Sequence, residues 1–157
     1  RFWRPRPRRL GGGGCKSALL LPTVRQSKSE GKMSKEREQA MAPAEVEAWL
    51  KANLPAWKLQ EGWVRRTYKT ASWKGTLMVI NTVGHLAEAA WHHPDITASY
   101  AWVEVRLMTH SAKGITAKDL ELARKIEEVV GWQPGKEGKG LEGTPESDMR
   151  FAYIKYD

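Results

Sequence analysis

Four histidines, His85, His92, His93 and His110, sit in one third of the chain, and there are no others. Imidazole titrates near neutrality and is the commonest general acid and base. A cluster of this kind therefore suits a reaction that moves protons at neutral pH. Glu88 and His92 are i, i+4, a spacing that puts both on one face of a helix, where the carboxylate can orient the ring. His93 is about 100° further round, and Pro94 fixes the exit of the chain. Two adjacent imidazoles can then enter one cavity from different angles. His110 follows a strand at the start of a loop, where functional groups concentrate, and can close the cavity from the sheet side. His85, two helical turns before His92, reads as a surface or packing residue. Three histidines and Glu88 are also ligand types for zinc. The helical His-x3-His pair is missing, however, and no metal site is expected.

The elements that must carry these residues can be read from the hydrophobic pattern. Val46, Trp49 and Leu50 recur at i, i+3, i+4, which predicts a helix over 44–52 that starts near Pro43 and stops before Pro55. Residues 57–60 alternate, Glu61-Gly62 is a turn signal, and 63–71 predicts a second strand. Residues 73–91 form the longest helical segment, with Pro94 ending the unit by disfavouring helical geometry at His93. Strands follow at 96–99 and 102–109; in the second, Val103, Val105 and Leu107 alternate with polar or aromatic neighbours. Thr116 is a good helix cap with Asp119 at the third position, and Leu120, Ala123, Ile126, Val129 and Val130 make an apolar stripe up to Gly131. The order α-β-β-α-β-β-α predicts an α+β domain, a four-stranded antiparallel sheet with three helices packed on one face. The open face or edge of such a sheet is a natural contact between copies.

Three segments are expected: a basic tail over 1–41, the domain over 42–132, and a C-terminal extension over 133–157 that packs back through 151–156. Residues 1–40 hold 11 Lys/Arg and 3 Asp/Glu, a net of +8, whereas 41–157 hold 15 of each. The basic excess thus belongs to the tail. The domain is neutral, which argues against nucleic acid as its partner. The tail, Arg/Pro-rich and then Gly-rich, fits an organelle-targeting peptide, a basic arm for nucleic acid, or a non-native extension ahead of a start at Met33 or Met41. Cys15 is the sole cysteine, so no disulfide framework forms within the chain, and a reducing compartment is the default. The expected location is the cytoplasm, or an organelle if the tail is a transit peptide. No apolar run approaches the length of a membrane span.

The spacing Glu88-x3-His92-His93-Pro94-x5-Tyr100-x9-His110-x8-Asp119 resembles the signature of the pterin-4a-carbinolamine dehydratases. The resemblance covers about residues 42 to 131, and Trp57 ahead of a Glu-Gly turn fits the usual opening of that family. Two departures stand out: Trp91, where the best-known members carry an acidic residue, and Ile96, where some carry an aromatic.

This resemblance implies a hydro-lyase. Its substrate is a tetrahydropterin with a hydroxyl on carbon 4a, and loss of water gives the quinonoid dihydropterin. His92 and His93 are assigned to acid/base work near the 4a-hydroxyl, and His110 to holding that hydroxyl or the ring. Glu88 is assigned to orienting His92, Tyr100 to the pocket wall, and Asp119 to the helix start beside the pocket. No metal or organic cofactor is implied, since the pterin is itself the substrate. The implied partners are further copies of the chain, as a homodimer or homotetramer, and an aromatic amino-acid hydroxylase whose spent cofactor is recycled. A non-catalytic role as a dimerisation or assembly partner on the same fold is the alternative. The intact histidines favour catalysis.

Overall fold

The computed structural model describes residues 39–138, 140–145, 148 and 150–156. The targeting, nucleic-acid and extension readings of the basic tail fall almost wholly on residues outside these. The elements run α1 (Pro43–Asn53), β1 (Lys58–Gln60), β2 (Trp63–Thr70), α2 (Trp73–Ala90), β3 (Asp95–Ser99), β4 (Trp102–Leu107), α3 (Ala117–Val130), a short 3-10 turn (Pro134–Lys136) and β5 (Ile154–Lys155). The α-β-β-α-β-β-α order is the one expected. A short fifth strand follows it.

All strand pairings are antiparallel, in the order β1-β2-β4-β3. Glu61 and Gly62 both take positive φ, 51° and 79°, the left-handed pair that a two-residue hairpin turn requires. They close β1 on β2 at Gln60↔Trp63. Lys69 is paired with both Trp102 of β4 and Lys155 of β5, so β5 lies on the β1 side of β2.

One sheet face carries Val64, Tyr68, Val103, Val105 and Leu107, all buried. They share a single core with Val46 and Leu50 of α1, Val79 and Val83 of α2, and Leu120, Ala123 and Ile126 of α3. Period-2 burial on the strands against period-3.6 burial on the helices accounts for this layering. Trp63, Arg65, Arg106 and Glu104 turn to the other face, where they are half-buried. β3 forms the free edge, and all five of its residues are exposed.

α2 ends differently from the expected course. The helix stops at Ala90, one residue short of the expected 73–91, and what ends it is not Pro94 but Trp91, which takes a left-handed conformation with φ 51° and ψ 40°. The N–H groups of Trp91 and His92 turn back to the carbonyls of Glu88 (3.2 Å) and Ala87 (3.1 Å), a left-handed helix stop of the kind glycine usually makes. His92 and His93 therefore lie beyond the helix, and His92 shares no helical face with Glu88 or His85. At the other end of α2, the Thr76 hydroxyl donates to the Tyr100 carbonyl (2.9 Å) and lies 2.8 Å from the Thr70 hydroxyl. These bonds tie the helix start to the β3–β4 turn.

Candidate active site

Asp119 is fully buried, and an ionised carboxylate is stable there only if its oxygens are taken up. They are. Oδ2 accepts from the Thr109 hydroxyl (2.7 Å) and from the Thr116 N–H (2.8 Å). The two threonine hydroxyls lie 2.8 Å apart, so Thr116 donates to Thr109 while Thr109 donates to the carboxylate. Oδ1 is 2.7 Å from His92 Nε2. One carboxylate thus starts α3, fixes the end of β4 and holds a histidine. The expected helix-start role of Asp119 and its place beside His92 are the same arrangement.

An ionised carboxylate only accepts hydrogen bonds, so His92 Nε2 carries the proton toward Asp119, and Nδ1 is left to act on something else. The His92 side chain is 14 % exposed. His93, its neighbour, is on the surface, with Nε2 3.0 Å from Glu88 Oε2. Glu88 was expected to orient His92; the carboxylate faces His93 because the left-handed turn at Trp91 swings His92 off the helix toward Asp119. The Trp91 indole also meets the His93 ring edge-on, with centroids 5.5 Å apart.

His110 comes to the same end of the sheet by register. Asp95↔Arg106 are directly opposite, so the end of β4, and His110 just beyond it, lies beside the residues entering β3, among them His92, His93 and Pro94. His110 follows Thr109, which touches Asp119, and a tight turn closes behind it through Lys113 N–H to His110 O (3.2 Å). Its ring meets Trp63 edge-on at 5.7 Å.

Tyr100 is not brought to this cluster. It lies at the far end of β3, roughly 20 Å along the strand from His93 at about 3.3 Å per residue, and the residue is 65 % exposed. As a wall of the histidine site within one chain it is therefore misplaced. His85 is exposed on α2, in line with a surface role.

Thr109, Thr116, Trp63 and Arg106 belong to the site's surroundings, and of these the sequence pattern points only to Thr116. Thr116 had a signal as a helix cap. The others had none beyond their position in strands. Among the described residues, no group of three or more His, Cys, Asp or Glu converges as a metal cage would. A surface groove of about 560 Å³ lined by Leu54, Arg124, Glu127, Glu128, Trp132 and Glu137 lies elsewhere. Its Glu127 is two turns along α3 from Asp119.

Two adjacent imidazoles, each held through Nε2 by a separate carboxylate, thus lie at one end of the antiparallel sheet of an α+β domain, with a third histidine just beyond the end of a neighbouring strand. The chain belongs to the pterin-4a-carbinolamine dehydratase family: the family model described as pterin 4 alpha carbinolamine dehydratase matches residues 39–129. A protein of Aquifex aeolicus provisionally named a pterin-4-alpha-carbinolamine dehydratase is 44% identical over 78 residues, 50% of this chain and 79% of that one. One of Chloroflexus aurantiacus with the same provisional name is 40% identical over 91 residues, 58% of this chain and 97% of the relative. Among solved structures, one described as a transcriptional coactivator/pterin dehydratase from Brucella melitensis is similar with a TM-score of 0.55 and 26% identity, over 59% of this chain and all of that one.

Proposed function

We propose that this protein dehydrates a 4a-hydroxytetrahydropterin to the quinonoid dihydropterin. The observation that carries the reading is the pair of anchored imidazoles: His92 Nε2 on Asp119 and His93 Nε2 on Glu88. The reaction breaks the bond between carbon 4a and its hydroxyl oxygen. That oxygen gains a proton and leaves as water, a ring nitrogen loses a proton, and the electron pair of its N–H bond becomes part of a new C=N bond. The water released carries away the proton that the acid supplied, and the base takes up the one from the ring, so the site has only to pass protons. With both Nε2 atoms fixed on carboxylates, the Nδ1 atoms of His92 and His93 are the groups available for these transfers, each worth roughly 10²–10⁴-fold. His110, just beyond the strand end, would hold the hydroxyl or the ring as charge develops.

In this reading the chemistry calls on no metal or organic cofactor, since ring electrons expel the leaving group. In a cell with an aromatic amino-acid hydroxylase, the product would re-enter that enzyme's cofactor cycle.

The reading extends to association between copies. β3 is an edge strand exposed along its whole length, and Leu77 and Met78 of α2, with Ile96 of β3, are exposed apolar side chains. A bare edge of this kind invites strand pairing, and this favours a homodimer or homotetramer. The same surface is what a dimerisation or assembly partner would use. Sedimentation velocity should show a mass of two or four chains, and a single-chain mass would remove this extension.

The deciding experiment is stopped-flow ultraviolet decay of 4a-hydroxytetrahydropterin with the wild type and with His92→Ala, His93→Ala and His110→Ala. Acceleration that collapses in folded variants supports the dehydratase. Decay no faster than in buffer would leave the partner role as the reading.

A further inference from the structure

His92 and His93 each have a carboxylate to fix the ring. His110 has none: among the described residues its side chain makes no hydrogen bond or ion pair, and its one ring contact is the edge-on approach of Trp63 at 5.7 Å and 77°. An exposed imidazole at the start of a loop is free to change rotamer unless something holds it. A residue that assists a proton transfer must be held close to its productive geometry.

Trp63 is itself held. The Arg106 guanidinium lies over its ring, 5.5 Å from the centroid, and Arg106 Nη2 is 3.3 Å from Asp95 Oδ2. The sheet register sets this up. Asp95 is directly opposite Arg106 across β3 and β4, and Arg106 is directly opposite Arg65 across β4 and β2. Trp63, two residues before Arg65, is the diagonal neighbour of Arg106 on the same open face, within reach of long side chains. A chain of contacts, Asp95 to Arg106 to Trp63 to His110, therefore crosses three strands. It begins just after His92-His93-Pro94 and ends on the third histidine.

We propose that Trp63 is the positioning residue of His110, held in place by Arg106, and that it fixes the imidazole by aromatic contact where the other two histidines use carboxylates. The kinetic consequence rests on the dehydratase reading of the site; the positioning itself does not.

The test compares Trp63→Leu, which removes the ring, with Trp63→Phe, which keeps an aromatic edge. In wild type and Trp63→Phe the His110 ring should give one sharp, dispersed pair of proton–carbon NMR signals. In Trp63→Leu it should show rotamer averaging, while the His92 and His93 signals stay in place. With a 4a-hydroxytetrahydropterin as substrate, Trp63→Leu should lower kcat about tenfold or more with KM nearly unchanged, and Trp63→Phe should restore most of it. Should Trp63→Leu not fold, Trp63→Met is measured against the same criteria. An unchanged His110 signal in the folded ring-less variant overturns the inference. If the wild type shows no dehydratase activity, the functional reading fails, and the NMR comparison still decides the role of Trp63.

Discussion

Asp119 Oδ1 lies 2.7 Å from His92 Nε2, between residues 27 positions apart, and the other oxygen of the same carboxylate takes up the Thr116 N–H and the Thr109 hydroxyl. The helix start and the histidine are thus one unit. This gives Asp119→Asn a definite outcome. The two donors on Oδ2 will hold the amide oxygen, leaving the amide NH2 to face His92 Nε2, and His92 must then change tautomer. We expect kcat/KM to fall on the order of 10²-fold or more, with only a modest loss of stability. The measurement is dehydratase kinetics together with the nitrogen shifts of His92. Wild-type kinetics in a folded variant would sink the assignment of His92 Nδ1 as the working atom.

Glu127, half-buried at the edge of the groove, makes a second network away from the histidines. It accepts from Trp57 Nε1 (2.9 Å) and the Tyr68 hydroxyl (2.8 Å), and both donors are almost wholly buried. Glu127→Ala leaves two buried donors unmatched and should cost about 2–4 kcal/mol, with Glu127→Gln milder because an acceptor remains. Denaturant unfolding measures this. Because the network is two helical turns from Asp119, kcat should hold.

Burial, reinforced by the Glu127 carboxylate, pushes the Tyr68 phenol well above its ordinary value. The folded chain thus keeps the proton where the unfolded chain loses it. The contribution of Tyr68 to stability is full below a pH of about 10 and is lost as pH rises beyond that. In an ultraviolet titration, Tyr68 should ionise only as the chain unfolds.

Trp91 holds a left-handed conformation that costs an L residue about 1 kcal/mol, and the residue is 77 % exposed. Trp91→Gly should therefore raise stability by up to about 1 kcal/mol. It also removes the indole beside His93, so a moderate drop in kcat should accompany the higher Tm. A lower Tm would mean that the indole contributes more than the turn costs.

Gly75 sits under the C-terminal segment: a Cβ there would come 2.2 Å from the Tyr153 carbonyl oxygen, which also accepts from the Ala71 N–H (3.1 Å). Gly75→Ala should displace β5 from β2 before it harms the core. Limited proteolysis should cut between 140 and 155 faster than in the wild type, with the rest intact. Equal cleavage rates would show that the segment is not held at this point.

The sequence by itself determined the element order and most element bounds. Val46 and Leu50, the alternation of 103, 105 and 107, and the stripe of 120, 123 and 126 each carry a periodicity that fits one secondary structure and one buried face. It also determined which residue types are present for acid–base chemistry, and the family, through a spacing of seven positions. Partner choice within the site was not legible. Glu88 at i−4 from His92 points to that pair only if the helix continues, and whether it continues depends on a left-handed turn at a tryptophan, which local propensity does not favour. Tertiary structure decided that His92 takes Asp119, because only the packing of α3 against the end of β4 brings a buried carboxylate there. Register decided that His110 meets Trp63 and that Tyr100 stands at the opposite end of β3. These contacts join residues far apart in sequence, and their energies depend on distance and burial, which no local pattern of residues encodes.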